Sequence, residues 1–121
     1  MRSILVVDDE IMNREIVVKI LLKEGFRVLE ASDGKEALEL LQLDNIDLML
    51  LDLMMPVLDG FEVLHALPTL QIDVPVIVFS ALGDRETRAK VFELNATEFI
   101  LKPFNIVDLM GKIRSILKSS A

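Results

Sequence analysis

Short apolar runs that break off at a polar side chain recur along this chain, and the longer stretches between them carry apolar residues at helical spacing. Ile4-Leu5-Val6-Val7 ends at Asp8-Asp9-Glu10, Leu48-Met49-Leu50-Leu51 at Asp52, Val76-Ile77-Val78-Phe79 at Ser80, and Phe99-Ile100-Leu101 at Lys102-Pro103. Runs that are apolar throughout, rather than alternating, suit strands buried on both faces. Val28-Leu29 supplies a shorter strand, and the central one covers about 47–51. A helix is predicted over Ile11–Glu24, with Ile16, Val17, Ile20 and Leu21 inward and Gly25 beyond its end. Others are predicted over Lys35–Leu43 after the Asp33-Gly34 turn, and over Gly60–Leu67, where Pro68 cuts the helix off. The fourth, Asp84–Leu94, is thinly apolar, with only Ala89, Val91, Phe92 and Leu94. The fifth, Asn105–Leu117, carries Ile106, Leu109, Met110, Ile113 and Leu117 along one face.

Five strands alternating with five helices predict an α/β fold: one doubly wound, five-stranded parallel sheet with helices on both faces. Right-handed crossovers leave few topologies, of which the flavodoxin-like order 2-1-3-4-5 is the expectation. Ligands of such sheets bind beyond the carboxyl ends of the strands, at the switch point between the first and third. Four of the five predicted strands end in chemistry at that edge: Asp8 and Asp9, Asp52, Ser80 and Lys102.

A length of 121 residues fits one domain, taken as 1–121, with enough chain for a real core. Twenty acidic residues against 13 basic give a net charge of −7, and the Lys and Arg are scattered, which disfavours nucleic acid or an anionic membrane as a partner. There is no cysteine, hence no disulfide framework. No apolar run reaches membrane-spanning length and the N-terminus does not resemble a signal peptide, so a soluble, cytoplasmic protein is expected.

Three carboxylates brought to one edge repel each other, which raises their pKa values or recruits a cation. Hard oxygen donors in small number suit Mg²⁺, with Mn²⁺ as a possible substitute. Lys102 and the Ser80 hydroxyl add a positive charge and a donor for an oxyanion, and the set suits phosphoryl transfer with Asp52 as nucleophile.

The segments VVDDE, LDLMMPVLDG, VFSA and FILKPF stand in the order and spacing of response-regulator receiver domains of two-component signalling, which the chain resembles over its whole length. The resemblance implies that Asp52 accepts a phosphoryl group from a sensor histidine kinase or phosphotransfer protein. It further implies that Asp9 and Asp52 ligate Mg²⁺, that Asp8 holds a metal-bound water, and that Met54 lends its backbone carbonyl. Ser80 and Phe99 would be the switch pair, Lys102 the phosphoryl contact, and Lys102-Pro103 a cis peptide bond. Met54 and Leu82 stand where the family tunes dephosphorylation, and both are apolar. Such a domain catalyses its own phosphorylation and dephosphorylation but is primarily a signalling switch, read by a downstream protein or output domain at the face around the fourth and fifth helices. Asn95 replaces a usual glycine, and Asn tolerates a left-handed backbone best among other residues. Phe99 lacks the hydroxyl of the usual tyrosine.

Plainer readings stand beside these. Glu10 suits a solvated loop acid, His65 an exposed position on the third helix, the methionines other than Met54 mostly core filler, and Phe99 a simple core aromatic. A haloacid-dehalogenase-like phosphohydrolase would need an acid where Met54 stands, and a flavin-binding domain would need a phosphate loop where Asp8-Asp9-Glu10 stands. A pseudo-receiver that binds partners without phosphorylation is the remaining alternative.

Overall fold

The computed structural model describes residues 1–119; residues 120 and 121 of the expected domain lie outside them. The strands are β1 (Ser3–Val7), β2 (Arg27–Ala31), β3 (Leu48–Asp52), β4 (Val76–Ser80) and β5 (Glu98–Leu101). The helices are α1 (Ile11–Lys23), α2 (Gly34–Leu43), α3 (Gly60–Thr69), α4 (Arg85–Glu93) and α5 (Ile106–Ser119). All strand pairings are parallel, in the order β2-β1-β3-β4-β5.

Alternation along the buried strands divides the core in two. Leu5, Val7, Met49, Leu51, Val76 and Val78 face α2, α3 and α4, meeting Ala37, Leu41, Val63, Leu64 and Val91. Ile4, Val6, Leu48, Leu50, Ile77 and Phe79 face α1 and α5, meeting Val17, Leu21, Leu109, Met110, Ile113 and Leu117. That is why the strand runs are apolar at every position: both faces are covered. Each fully buried Leu or Ile here contributes roughly 1.5–3 kcal/mol.

Three helices start on an Asp whose side chain accepts an N–H of the first turn: Asp33 from Glu36, Asp59 from Glu62, and Asp84 from Thr87. Asp59 and Glu62 form a reciprocal capping box. Asn95 does adopt the left-handed region, at φ 70°.

The structure corrects several details. Ile16 is 54% exposed; Val17 and Leu21 define the inward line of α1, and one residue earlier is a rotation of about 100° away from it. Ile20 is half-buried. Pro68 does not stop α3, which continues to Thr69. In the last turn the missing proline N–H costs one bond only, and the Pro68 carbonyl still accepts from Gln71 at 3.1 Å. On α4 only Val91 is buried; Ala89 and Phe92 face solvent. The helix is held besides by Lys90 over the Phe61 ring at 4.4 Å and Arg88 over the Phe99 ring at 4.7 Å. Three methionines, Met49, Met55 and Met110, fill the core, while Met1 and Met12 are exposed along with Met54. His65 is exposed on α3.

Val57, in the β3–α3 connection, sits at φ 69°. Leu58 N–H donates to the Pro56 carbonyl at 2.8 Å, closing a three-residue γ-turn around it. A β-branched residue in this region crowds its Cβ against the following carbonyl. Its side chain is 76% exposed, so little packing offsets that strain. Replacing Val57 by Gly is therefore expected to raise stability by about 0.5–1 kcal/mol, the relief of crowding less the entropy of a glycine. Urea midpoints at an unchanged m-value measure this, and a destabilised Val57→Gly protein would show that the turn is not strained.

Candidate functional site

The carboxyl ends of β1, β3, β4 and β5 carry Asp8, Asp52, Ser80 and Lys102 to one edge. Asp52 is the last residue of β3 and only 6% exposed. Its neighbourhood requires a glycine: a Cβ on Gly60 would lie 2.7 Å from Leu53 Cα and 2.8 Å from the Asp52 carbonyl oxygen, both backbone atoms. The start of α3 thus packs directly against the strand end. Gly60 N–H donates to the Leu53 carbonyl at 3.0 Å, and Leu53 N–H to the Phe79 carbonyl at 3.1 Å, which ties the loop after Asp52 into the sheet.

Asp8 is fixed at several of its polar atoms. Its N–H donates to the Ala31 carbonyl at 3.1 Å, and its Oδ1 accepts from Glu10 N–H at 2.9 Å. Glu10 itself is exposed, as a loop acid. Lys102 Nζ reaches Asp8 Oδ2 at 3.4 Å and Asp52 Oδ2 at 3.5 Å, so one ammonium stands between two buried carboxylates. Asp9 is exposed beside them, and one carboxylate oxygen from each of Asp8, Asp9 and Asp52 falls within 4.8 Å of the others. Burial pushes the Asp52 carboxyl up to about 6; the Lys102 ammonium opposes that shift and the Asp8 charge adds to it.

Three carboxylate oxygens at that separation match the span of ligands around one small divalent ion, and Mg²⁺ prefers few carboxylates with water completing its octahedron. The residues present therefore fit Mg²⁺. The Met54 N–H points back to Asp52 Oδ1 at 3.4 Å, while its side chain is 61% exposed. Leu82, also exposed, donates its N–H to Ser80 Oγ at 2.9 Å. Ser80 is fully buried, and its carbonyl accepts from Lys102 N–H at 2.8 Å, joining the hydroxyl and the lysine through the β4–β5 pair. The Lys102-Pro103 bond is cis. Phe99 is buried, one strand over, beneath the Arg88 guanidinium.

No pattern along the chain points to Arg14. Its Nη1 donates to the Asp8 carbonyl at 2.6 Å and its Nε to Glu30 at 3.0 Å. Only the packing of α1 against the β1–β2 pair brings these three together. Beside the site a cleft of about 490 Å³ opens between α1 and the start of α5, bordered by Ile16, Asn13, Lys102, Phe104 and Ile106.

Comparison with known proteins agrees with this arrangement. Residues 4–114 match the family model described as the response regulator receiver domain. Response regulator RR06 of Streptococcus pneumoniae is 47% identical over 116 residues, 96% of this chain and 53% of that protein. This chain spans about half the length of the curated relatives it matches. The structure of the receiver domain of Francisella response regulator 1452 superposes with a TM-score of 0.95 at 31% identity, covering 100% of both chains. That of response regulator TrrA from Thermotoga maritima, solved in complex with Mg²⁺-BeF, superposes with a TM-score of 0.86 at 34% identity, covering 97% of this chain and 100% of that one. With the matched fold, the family model and an acidic cluster at the switch point of the sheet in agreement, the chain belongs to the response regulator receiver domains of two-component systems.

Proposed function

We propose that this chain is a phosphorylation-dependent switch in which Asp52 accepts a phosphoryl group from a sensor histidine kinase or phosphotransfer protein. The observation that carries the reading is the placement of Lys102 Nζ within 3.5 Å of a buried Asp52 carboxylate, in a cluster of three acids fit for Mg²⁺. Asp8, Asp9, Asp52 and the Met54 carbonyl would hold the ion, and Mn²⁺ has the same donor preferences. When bound, the ion neutralises charge on the phosphoryl oxygens.

An Asp52 carboxylate oxygen forms the bond to phosphorus as the bond from phosphorus to the donor imidazole nitrogen breaks, and the imidazole leaves with the electron pair. Asp52 supplies the electron pair, and Lys102 turns from a carboxylate partner into a contact for a phosphoryl oxygen. The Ser80 hydroxyl keeps a proton to donate to a second oxygen. Because Ser80 Oγ also holds Leu82 N–H, a hydroxyl drawn toward the phosphoryl group releases the β4–α4 loop. With Val91 its single buried residue, α4 is the element that rearranges most cheaply, and Phe99 beneath Arg88 follows it. The face of α4, β5 and α5, with exposed Phe92, Leu101 and Val107, would carry the signal to a downstream protein or output domain. The apolar cleft beside Lys102 leaves the reacting edge open to a protein donor. No described helix is long and apolar enough to cross a membrane, and we place the protein in the cytoplasm, where its proposed donor acts.

Three measurements test this reading. Incubation with acetyl phosphate and Mg²⁺ should add a single phosphoryl group by mass spectrometry, lost in Asp52→Asn; full labelling of that variant would move the acceptor elsewhere. Stability supplies the second. A folded-state pKa of about 6 exceeds the unfolded value of about 4, so the native state holds this proton more tightly. Asp52 therefore costs nothing below the unfolded pKa, and metal-free stability falls as pH rises through the folded one. Asp52→Asn removes that loss, so its advantage in melting temperature should grow between pH 4 and 6, taken as about those two pKa values. A pH-independent difference would mean that burial does not hold the Asp52 proton. Third, Met54 and Leu82 offer no polar group to orient an attacking water, and one such hydrogen bond is worth about 1–2 kcal/mol in the transition state. Met54→Asn/Leu82→Glu should accelerate decay of the phosphorylated chain by roughly tenfold. Decay at the parent rate in the double variant would show that other groups control the water.

A further inference from the structure

Arg14 lies in the first turns of α1, yet its side chain is only 15% exposed. Its guanidinium bridges two other elements, donating from Nη1 to the Asp8 carbonyl at 2.6 Å and from Nε to Glu30 on β2 at 3.0 Å. The loop it grips needs such a hold. Glu10, at the N-cap of α1, makes no side-chain capping bond, so the helix start does not fix Asp8-Asp9-Glu10 in the usual way. Asp8 Oδ1 meets Glu10 N–H and its N–H meets Ala31, but the Asp8 carbonyl is anchored by Arg14. Glu30 in turn holds the planar guanidinium in register with the sheet, where a fork of donors can serve two acceptors at once.

We propose that Arg14 is a positioning residue for the metal-binding carboxylates: clamped to β2 by Glu30, it fixes the β1–α1 loop so that Asp8 and Asp9 converge on Asp52. The proposal rests on the reading of those three acids as a divalent-cation site. Outer groups that orient ligands in this way commonly change metal affinity by about ten- to hundredfold when removed.

Charge and positioning make opposite forecasts here. A cation close to three carboxylates repels Mg²⁺, so on charge alone Arg14→Ala tightens the metal and Arg14→Lys leaves it unchanged. As a positioning residue, Arg14 does the reverse. Its loss to Ala should weaken Mg²⁺ by roughly tenfold, and Lys should suffer most of that loss because a single ammonium cannot replace the fork. A merely structural role lowers the melting temperature without moving the affinity.

The chain has no Trp or Tyr to report binding by fluorescence. Calorimetric titration of the metal-free chain and both variants with MgCl₂ is therefore paired with amide hydrogen exchange by NMR without metal. Expected are weaker Mg²⁺ in both variants and faster exchange at the Glu10 amide, which Asp8 Oδ1 holds in the intact loop. Affinity equal to or tighter than the parent in the folded Arg14→Lys protein overturns the proposal, even if Arg14→Ala fails to fold. If the parent chain binds no Mg²⁺, the cation-site reading falls. The exchange data then decide the positioning role, and unchanged Glu10 exchange overturns it.

Discussion

One lysine ammonium wedged between two buried carboxylates is the interaction on which the functional edge depends. Asp8 and Asp52 are each less than a tenth exposed and have Lys102 Nζ at 3.4 and 3.5 Å. Two buried charges of one sign on neighbouring strands are tolerated because a third of opposite sign lies between them. The compensation is partial, since burial still leaves Asp52 holding its proton well above the ordinary carboxylate range. Three acids with a single shared lysine remain short of positive charge, which is the physical basis for reading the cluster as a cation site.

The rest of the fold keeps these groups in register. Parallel pairing puts Val7 opposite Leu51, and Asp52 opposite Phe79, so the ends of three strands lie side by side. Rigid core on both faces of β3 leaves its tip no freedom, and the absence of a Cβ at Gly60 lets α3 press against it. Beside this stiff centre, α4 is attached through one buried valine and two cation–aromatic contacts. The site thus lies at the Ser80 end of the β4–α4 connection, and the lightly attached α4 at its other end. Ser80 links the site to that connection through its carbonyl to Lys102 and its hydroxyl to Leu82.

The strands and the chemistry at their ends were legible in the residues themselves, while crossover handedness narrowed their order to a few topologies. Apolar runs as short as Leu48–Leu51, bounded by Asp47 and Asp52, suit strands covered on both faces, and the residue that ends each run is placed by the period of the strand rather than by distant contacts. Hence Asp52, Ser80 and Lys102 could be assigned to one edge before any coordinates. The start of α2 was legible for the same local reason, because the Asp33-Gly34 turn adjoins it in sequence, and Asp33 then caps the helix within its own first turn. Three-dimensional packing decided what depends on partners far apart in sequence. Ile16 and Val17 are equally apolar, and only the docking of α1 chooses which is covered. Pro68 reads as a stop, but at the last turn of a packed helix it forfeits a single bond, and the rest of α3 keeps it helical. Val57 shows no outward sign of a left-handed backbone; the closure of β3 onto α3 imposes it. Arg14 finds Asp8 and Glu30 solely because β1 and β2 pair, and a hydrogen bond across that pairing leaves no trace in the spacing of the residues that make it.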